Sequence, residues 1–227
     1  MEQKLDTTNA KKVASEIIAE IGGLPVRNTP NVRAIRRKYS RILNKAKPEF
    51  ILELARELFE NYGQRWVAFE LIRSHKIAFQ NIGEKELEEF GCGINSWGSV
   101  DSFAGILAGP AWLNGQVSDM LIHKWARSGD RWWRRAALVS TVVLNMRSHG
   151  GMGDVPRTLE VCRLLVNDHD DMVVKAMSWA LRALVVHDPH AVHEFLKEYD
   201  DVLAARVKRE VRNKLRTGLK NPRRKRS

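Results

Sequence analysis

The sequence predicts an all-α protein, an α-solenoid of helix pairs stacked side by side. Three observations predict it. Apolar residues recur at helical spacing, as in Val173, Met177, Ala180, Leu181 and Leu184, and no segment shows the β-branched alternation a strand needs. Turn signals punctuate the chain at Thr29-Pro30, Lys47-Pro48, Gly109-Pro110, Gly150-Gly151-Met152-Gly153 and Asp188-Pro189. Thr or Asp ahead of Pro suits an N-cap followed by a first-turn residue with no N–H to satisfy. Lastly, Trp132-x-x-Arg135-Ala136 recurs 47 residues later as Trp179-x-x-Arg182-Ala183, near the roughly 40–47-residue period of HEAT-like helix pairs. Stacked pairs curve into a solenoid whose concave face is an extended binding surface.

At 227 residues the chain fits one medium domain or a short repeat array. A single domain over 1–220 and a basic disordered tail over 221–227 are expected. With 44% hydrophobic and 29% charged residues it reads as an ordinary soluble protein, and no apolar run reaches the roughly 18–20 residues that cross a bilayer. Met1–Lys12 has no apolar stretch of a secretory kind. Two cysteines, Cys92 and Cys162, cannot make a zinc site by themselves. The expectation is a cytoplasmic monomer, nucleoid-associated in a bacterium, with reduced thiols, no metal and no cofactor.

The distribution of the net charge of +11 says more than its size. Arg206–Ser227 holds eleven of the 38 basic residues against the single acid Glu210, leaving residues 1–205 near neutral. A second run, Arg33, Arg36, Arg37, Lys38, Arg41, Lys45 and Lys47, contains no acid. Separated basic clusters on a neutral body suit a polyanion, most commonly nucleic acid; a solvated helix face and a free tail are the bland alternative.

Taken along the chain, the segment opening at Trp97 places Val100, Phe103 and Leu107 on one inward stripe. Trp97 and Asp101 share another face with the small residues Ala104, Gly105 and Ala108. An indole beside a carboxylate on a cleared face is a candidate site, against the alternative of a core Trp and a capping Asp. Arg127, Arg131, Arg134 and Arg135 then interleave with Trp132 and Trp133, a pattern suited to phosphate contact plus stacking. Gly150–Gly153 lacks the Gly-Lys-Ser/Thr ending of a phosphate loop and reads as a turn. In Val173–His187, Trp179 lies off the apolar stripe with Lys175 and Arg182 at i−4 and i+3. His187, His190 and His193 resemble metal spacing, but Pro189 breaks the first interval and no further ligand is near. A basic helix around Lys208 and Arg212 closes the chain.

Ser96-Trp97-x-Ser99-Val100-Asp101, Trp132-x-x-Arg135-Ala136-Ala137, Trp179-x-Leu181-Arg182 and Lys208-Arg209-Glu210 together, over roughly Leu24 to Gly218, resemble the AlkD family of DNA alkylation repair proteins, HEAT-like-repeat DNA glycosylases. The resemblance implies removal of N3- or N7-alkylated purines from double-stranded DNA. It implies Asp101 as the catalytic aspartate, whose carboxylate stabilises the developing deoxyribose cation and orients water, Trp97 and Trp179 as active-site tryptophans, and Arg135 and Arg182 as DNA contacts; Arg134, Lys175, Lys208 and Arg212 complete the expected DNA-binding set. Gly98 stands where an acidic residue is common, and Ala14–Ile21 lacks the aromatic that members can carry. A non-catalytic DNA binder and a protein-interaction scaffold are the competing readings.

Overall fold

Many of the helices start where a polar side chain accepts from a first-turn N–H. The structure, a computed structural model, describes residues 9–222. They divide into two compact units, with the boundary at Cys92. Among the described residues every regular element is helical. Positions 223–227 of the expected tail lie outside the described residues.

In the first unit, α1 (Ala10–Gly22) begins on the Asn9 side chain and buries Ala10, Ala14, Ile17 and Ile21, the i, i+4, i+7, i+11 face of an amphipathic helix, together with Val13. Helix α2 (Thr29–Ile42) is capped by Asn28 rather than the expected Thr29, with Pro30 in its first turn. Next come α3 (Pro48–Glu60), α4 (Arg65–Ser74), the short α5 (Lys76–Gln80) and α6 (Glu84–Gly91). Helix α1 packs on α3, and α2 on α4, so alternate helices lie side by side. The basic run of α2 is partly neutralised internally: Arg33 and Arg36 both bind Glu70, and Lys38 binds Glu20.

The second unit opens with α7 (Trp97–Phe103), which runs through a π turn at Ala104–Ala108 into α8 (Gly109–Leu113). The turn expected at Gly109-Pro110 is therefore absent. Pro110 has no N–H, and the i→i+5 bond from Gly109 N–H to the Ala104 carbonyl resets the ladder just ahead of it. Gly109 is required here, because a Cβ would lie 2.5 Å from Val143 Cγ2. Then follow α9 (Asp119–Ala126), α10 (Arg131–Leu144), a 3₁₀ turn (Arg147–His149), α11 (Val155–Leu164), α12 (Asp171–Leu184), α13 (Pro189–Glu198) and α14 (Ala205–Thr217).

Helices α7–α8, α10, α12 and α14 form one layer, each packed on the next; α9 and α11 pack together behind it, and α13 lies against α12 and α14. Every residue of α10 from Arg135 to Leu144 is buried, as befits a helix enclosed on all sides. The two Trp-x-x-Arg-Ala copies sit on α10 and α12, neighbours in the same layer, so the 47-residue offset marks one helix pair. This is HEAT-like packing. The Gly150–Gly153 segment is the inter-helix turn expected, and Gly153 has φ +94° with no room for a Cβ beside His187.

Candidate active site

The start of α7 is fixed by a reciprocal cap. Ser99 N–H donates to Ser96 Oγ at 3.3 Å, and Ser96 N–H donates to Ser99 Oγ at 3.2 Å, which satisfies two first-turn donors at once. Trp97 thereby becomes the first helical residue, with its side chain in solvent at 64% exposure. Asp101 follows one turn on. A Cβ built at Gly98 or Gly105 would meet nothing within 4 Å, so the face around Asp101 is open. The sequence placed Ala104 and Ala108 on that face too; both are fully buried, because the π turn swings them into the core.

Asp101 is gripped from below. Arg135 Nε donates to Oδ1 at 2.9 Å and Nη2 to Oδ2 at 2.8 Å, while Nη1 donates to the Met172 carbonyl at 2.6 Å. One guanidinium thus ties together α7, α10 and the first turn of α12. Its side chain is only 6% exposed, against 20% for Asp101. Burial pushes the Asp101 carboxyl above its usual value, against the pull of the Arg135 hydrogen bonds and charge. Arg135 was expected to meet DNA; its position makes it the holder of Asp101.

Arg135 also lines a pocket of about 400 Å³ with Lys175, Trp179, Arg182, Arg206, Glu210 and Lys220. Lys175 and Arg206 share Asp171 at 2.6 and 2.7 Å. Ser178 donates to Glu210 at 2.6 Å and accepts from Arg182 Nε at 3.2 Å. Burial pushes the Arg182 guanidinium below its ordinary value. For Glu210 burial acts upward, but the hydrogen bond from Ser178 and the charge of Lys220, 3.4 Å away, bring the carboxyl below the usual range. The pocket thus holds one carboxylate among five cations, a surface that favours anions.

Trp97, Asp101, Lys175, Trp179 and Arg182 therefore belong to one layer, bridged by Arg135. Other expected residues do not join them. Arg134 is spent on Asp168 at 2.6 Å and on the carbonyls of Ser128 and Gly129. Lys208 and Arg212 bind Asp200 on a different face of α14. Trp133 packs against Trp125 and, edge-on, Phe103, ring centroids 4.9 and 5.9 Å away, which makes it packing rather than a base platform, and Arg131 covers the half-buried Trp132. His187 bonds the Asn145 carbonyl. Among the described residues no three His, Cys, Asp or Glu side chains converge on a metal position, and no helix is long and apolar enough to cross a membrane. Arg206, Glu210, Ser178 and Lys220 were not anticipated. Arg206 and Glu210 at i, i+4, the latter the lone acid of a basic helix, were the available signal.

A family model described as DNA alkylation repair enzyme matches residues 5–215. The chain belongs to that family. A search of curated proteins finds no match. As a DNA alkylation repair enzyme the chain acts on DNA, and the Trp97–Asp101 motif and every residue of the cationic pocket except Lys220 lie inside the matched region.

Proposed function

We propose that the chain is a DNA glycosylase of base excision repair, hydrolysing the N-glycosidic bond of cationic N3- and N7-alkylated purines such as 3-methyladenine and 7-methylguanine in duplex DNA. The observation that supports this most is the open-faced Asp101 carboxylate, held bidentately beside an exposed indole and joined through Arg135 to a cationic pocket containing Trp179.

An alkylated ring nitrogen makes the base a cationic leaving group, which departs neutral with the bond pair and needs little acid help. The barrier lies in the positive charge developing on the deoxyribose, and a fixed carboxylate meets that charge without reorganising. A carboxylate offers about four acceptor sites. Arg135 uses two of them, so Asp101 keeps capacity to orient the attacking water on its open side. Trp97 and Trp179 hold the lesion nucleotide by contacts of about 0.5–2 kcal/mol each. Lys175, Arg182 and Arg206 contact backbone phosphates, which position the duplex without reading sequence.

The test is single-turnover release of 7-methylguanine and 3-methyladenine from methylated duplex, comparing wild type with Asp101→Asn. Release by wild type alone supports the assignment. Release by neither protein, with tight salt-sensitive DNA binding intact, would make the chain a non-catalytic binder.

A further inference from the structure

Helix α14 is charged on two faces. Arg206 and Glu210 point into the Trp179 pocket. Lys208, Arg209, Arg212 and Arg216 line, with His193 of α13, a separate open pocket of about 720 Å³. At 3.6 residues per turn the mean directions of the two sets differ by about 125° around the helix axis.

We propose that the α13–α14 face is a second DNA-binding surface, taking the phosphate backbone of a duplex segment other than the one at the Trp179 pocket. The inference rests on the DNA-binding part of the function proposed above. A duplex docked at the Trp179 pocket meets the Arg206–Glu210 side of α14, and the outer cations, turned about 125° from that side, point away from it and are placed to take a different stretch of DNA.

The charge on this face is incompletely neutralised. Asp200 answers Lys208 and Arg212, and Arg209 lies 3.9 Å from the buried Glu210. Among the described residues no carboxylate lies within ion-pair distance of Arg216. Apart from Ala205 and Leu215 the lining is polar or cationic. It offers no aromatic anchor of the kind protein interfaces use, which favours a polyanion over a folded protein partner.

The test mixes two short undamaged duplexes, one carrying a donor and the other an acceptor fluorophore, with the full chain at low salt. Bridging raises energy transfer. Wild type should bridge them, and Arg209→Gln/Arg216→Gln should lose bridging at least tenfold, with its log–log salt slope reduced by roughly 1.8 for two lost phosphate contacts. Binding of a single duplex, excision and the melting temperature should be nearly unchanged. The proposal fails if wild type binds one duplex without bridging, or if the variant bridges as well as wild type, as pairing through a protein dimer would allow. Absence of any DNA binding would instead sink the function itself.

Discussion

Arg135→Met removes the guanidinium under Asp101 while keeping most of its volume. The Asp101 carboxylate then loses both charged donors and the Met172 carbonyl loses its partner. Breaking a buried pair costs about 3–5 kcal/mol. With Asp101 20% exposed and able to rehydrate, the low end, about 3 kcal/mol, applies, and a chain of this size should melt about 6–12 °C lower at neutral pH. The pH dependence has a definite sign. Burial already holds the folded carboxyl above its ordinary value, and the hydrogen bonds and charge of Arg135 oppose that rise; without them it rises further. The folded variant then binds a proton that the unfolded chain does not, so the stability deficit shrinks as pH falls from neutral toward the raised value. Excision needs the ionised carboxylate, so its acid limb moves to higher pH. Thermal melts at two pH values and a single-turnover pH profile measure both effects. A melting temperature within about 2 °C of wild type at neutral pH, with an unmoved acid limb, would refute the view of Arg135 as the holder of Asp101.

Asp101→Asn should slow excision about 10²–10³-fold, the usual cost of deleting one preorganised electrostatic group; a rate near wild type in single-turnover release would remove Asp101 from the chemistry. Arg134→Ala should lower stability, read by denaturant midpoint, yet leave the salt slope of DNA binding in place, because that guanidinium is committed to Asp168 and two carbonyls. Gly109→Ala should cost about 1–3 kcal/mol in unfolding experiments through overpacking against Val143. In native protein, iodoacetamide should modify exposed Cys92 and spare Cys162, buried and pushed up to about 12, as mass spectrometry can show.

The sequence made the fold class legible because its information was local: stripes, caps and a repeat that maps onto neighbouring helices. The Trp97–Asp101 adjacency was legible for the same reason, four residues on one helix. What escaped were pairings between distant segments. Arg135 lies 34 residues from Asp101, and nothing in either segment says that they meet. The run on α2 read as free charge, since Glu20 and Glu70, which neutralise part of it, come from other helices. Lys208 and Arg212 were grouped with the site by the charge of the last helix and the Lys208-Arg209-Glu210 motif, whereas the helical phase of α14 turns them away from Arg206 and Glu210. Gly109-Pro110 carried the signature of a break, and only the π turn before it explains why the helix continues.

The three-way grip of Arg135 has one last consequence. A carboxylate pinned at both oxygens to the most enclosed helix of its unit cannot travel to meet a substrate, so under the proposed function the movement falls to the nucleic acid. Turnover would then be governed by the compliance of the duplex around the lesion. Sites beside a mismatch or a flexible pyrimidine–purine step would be repaired sooner than the same lesion in a stiff tract.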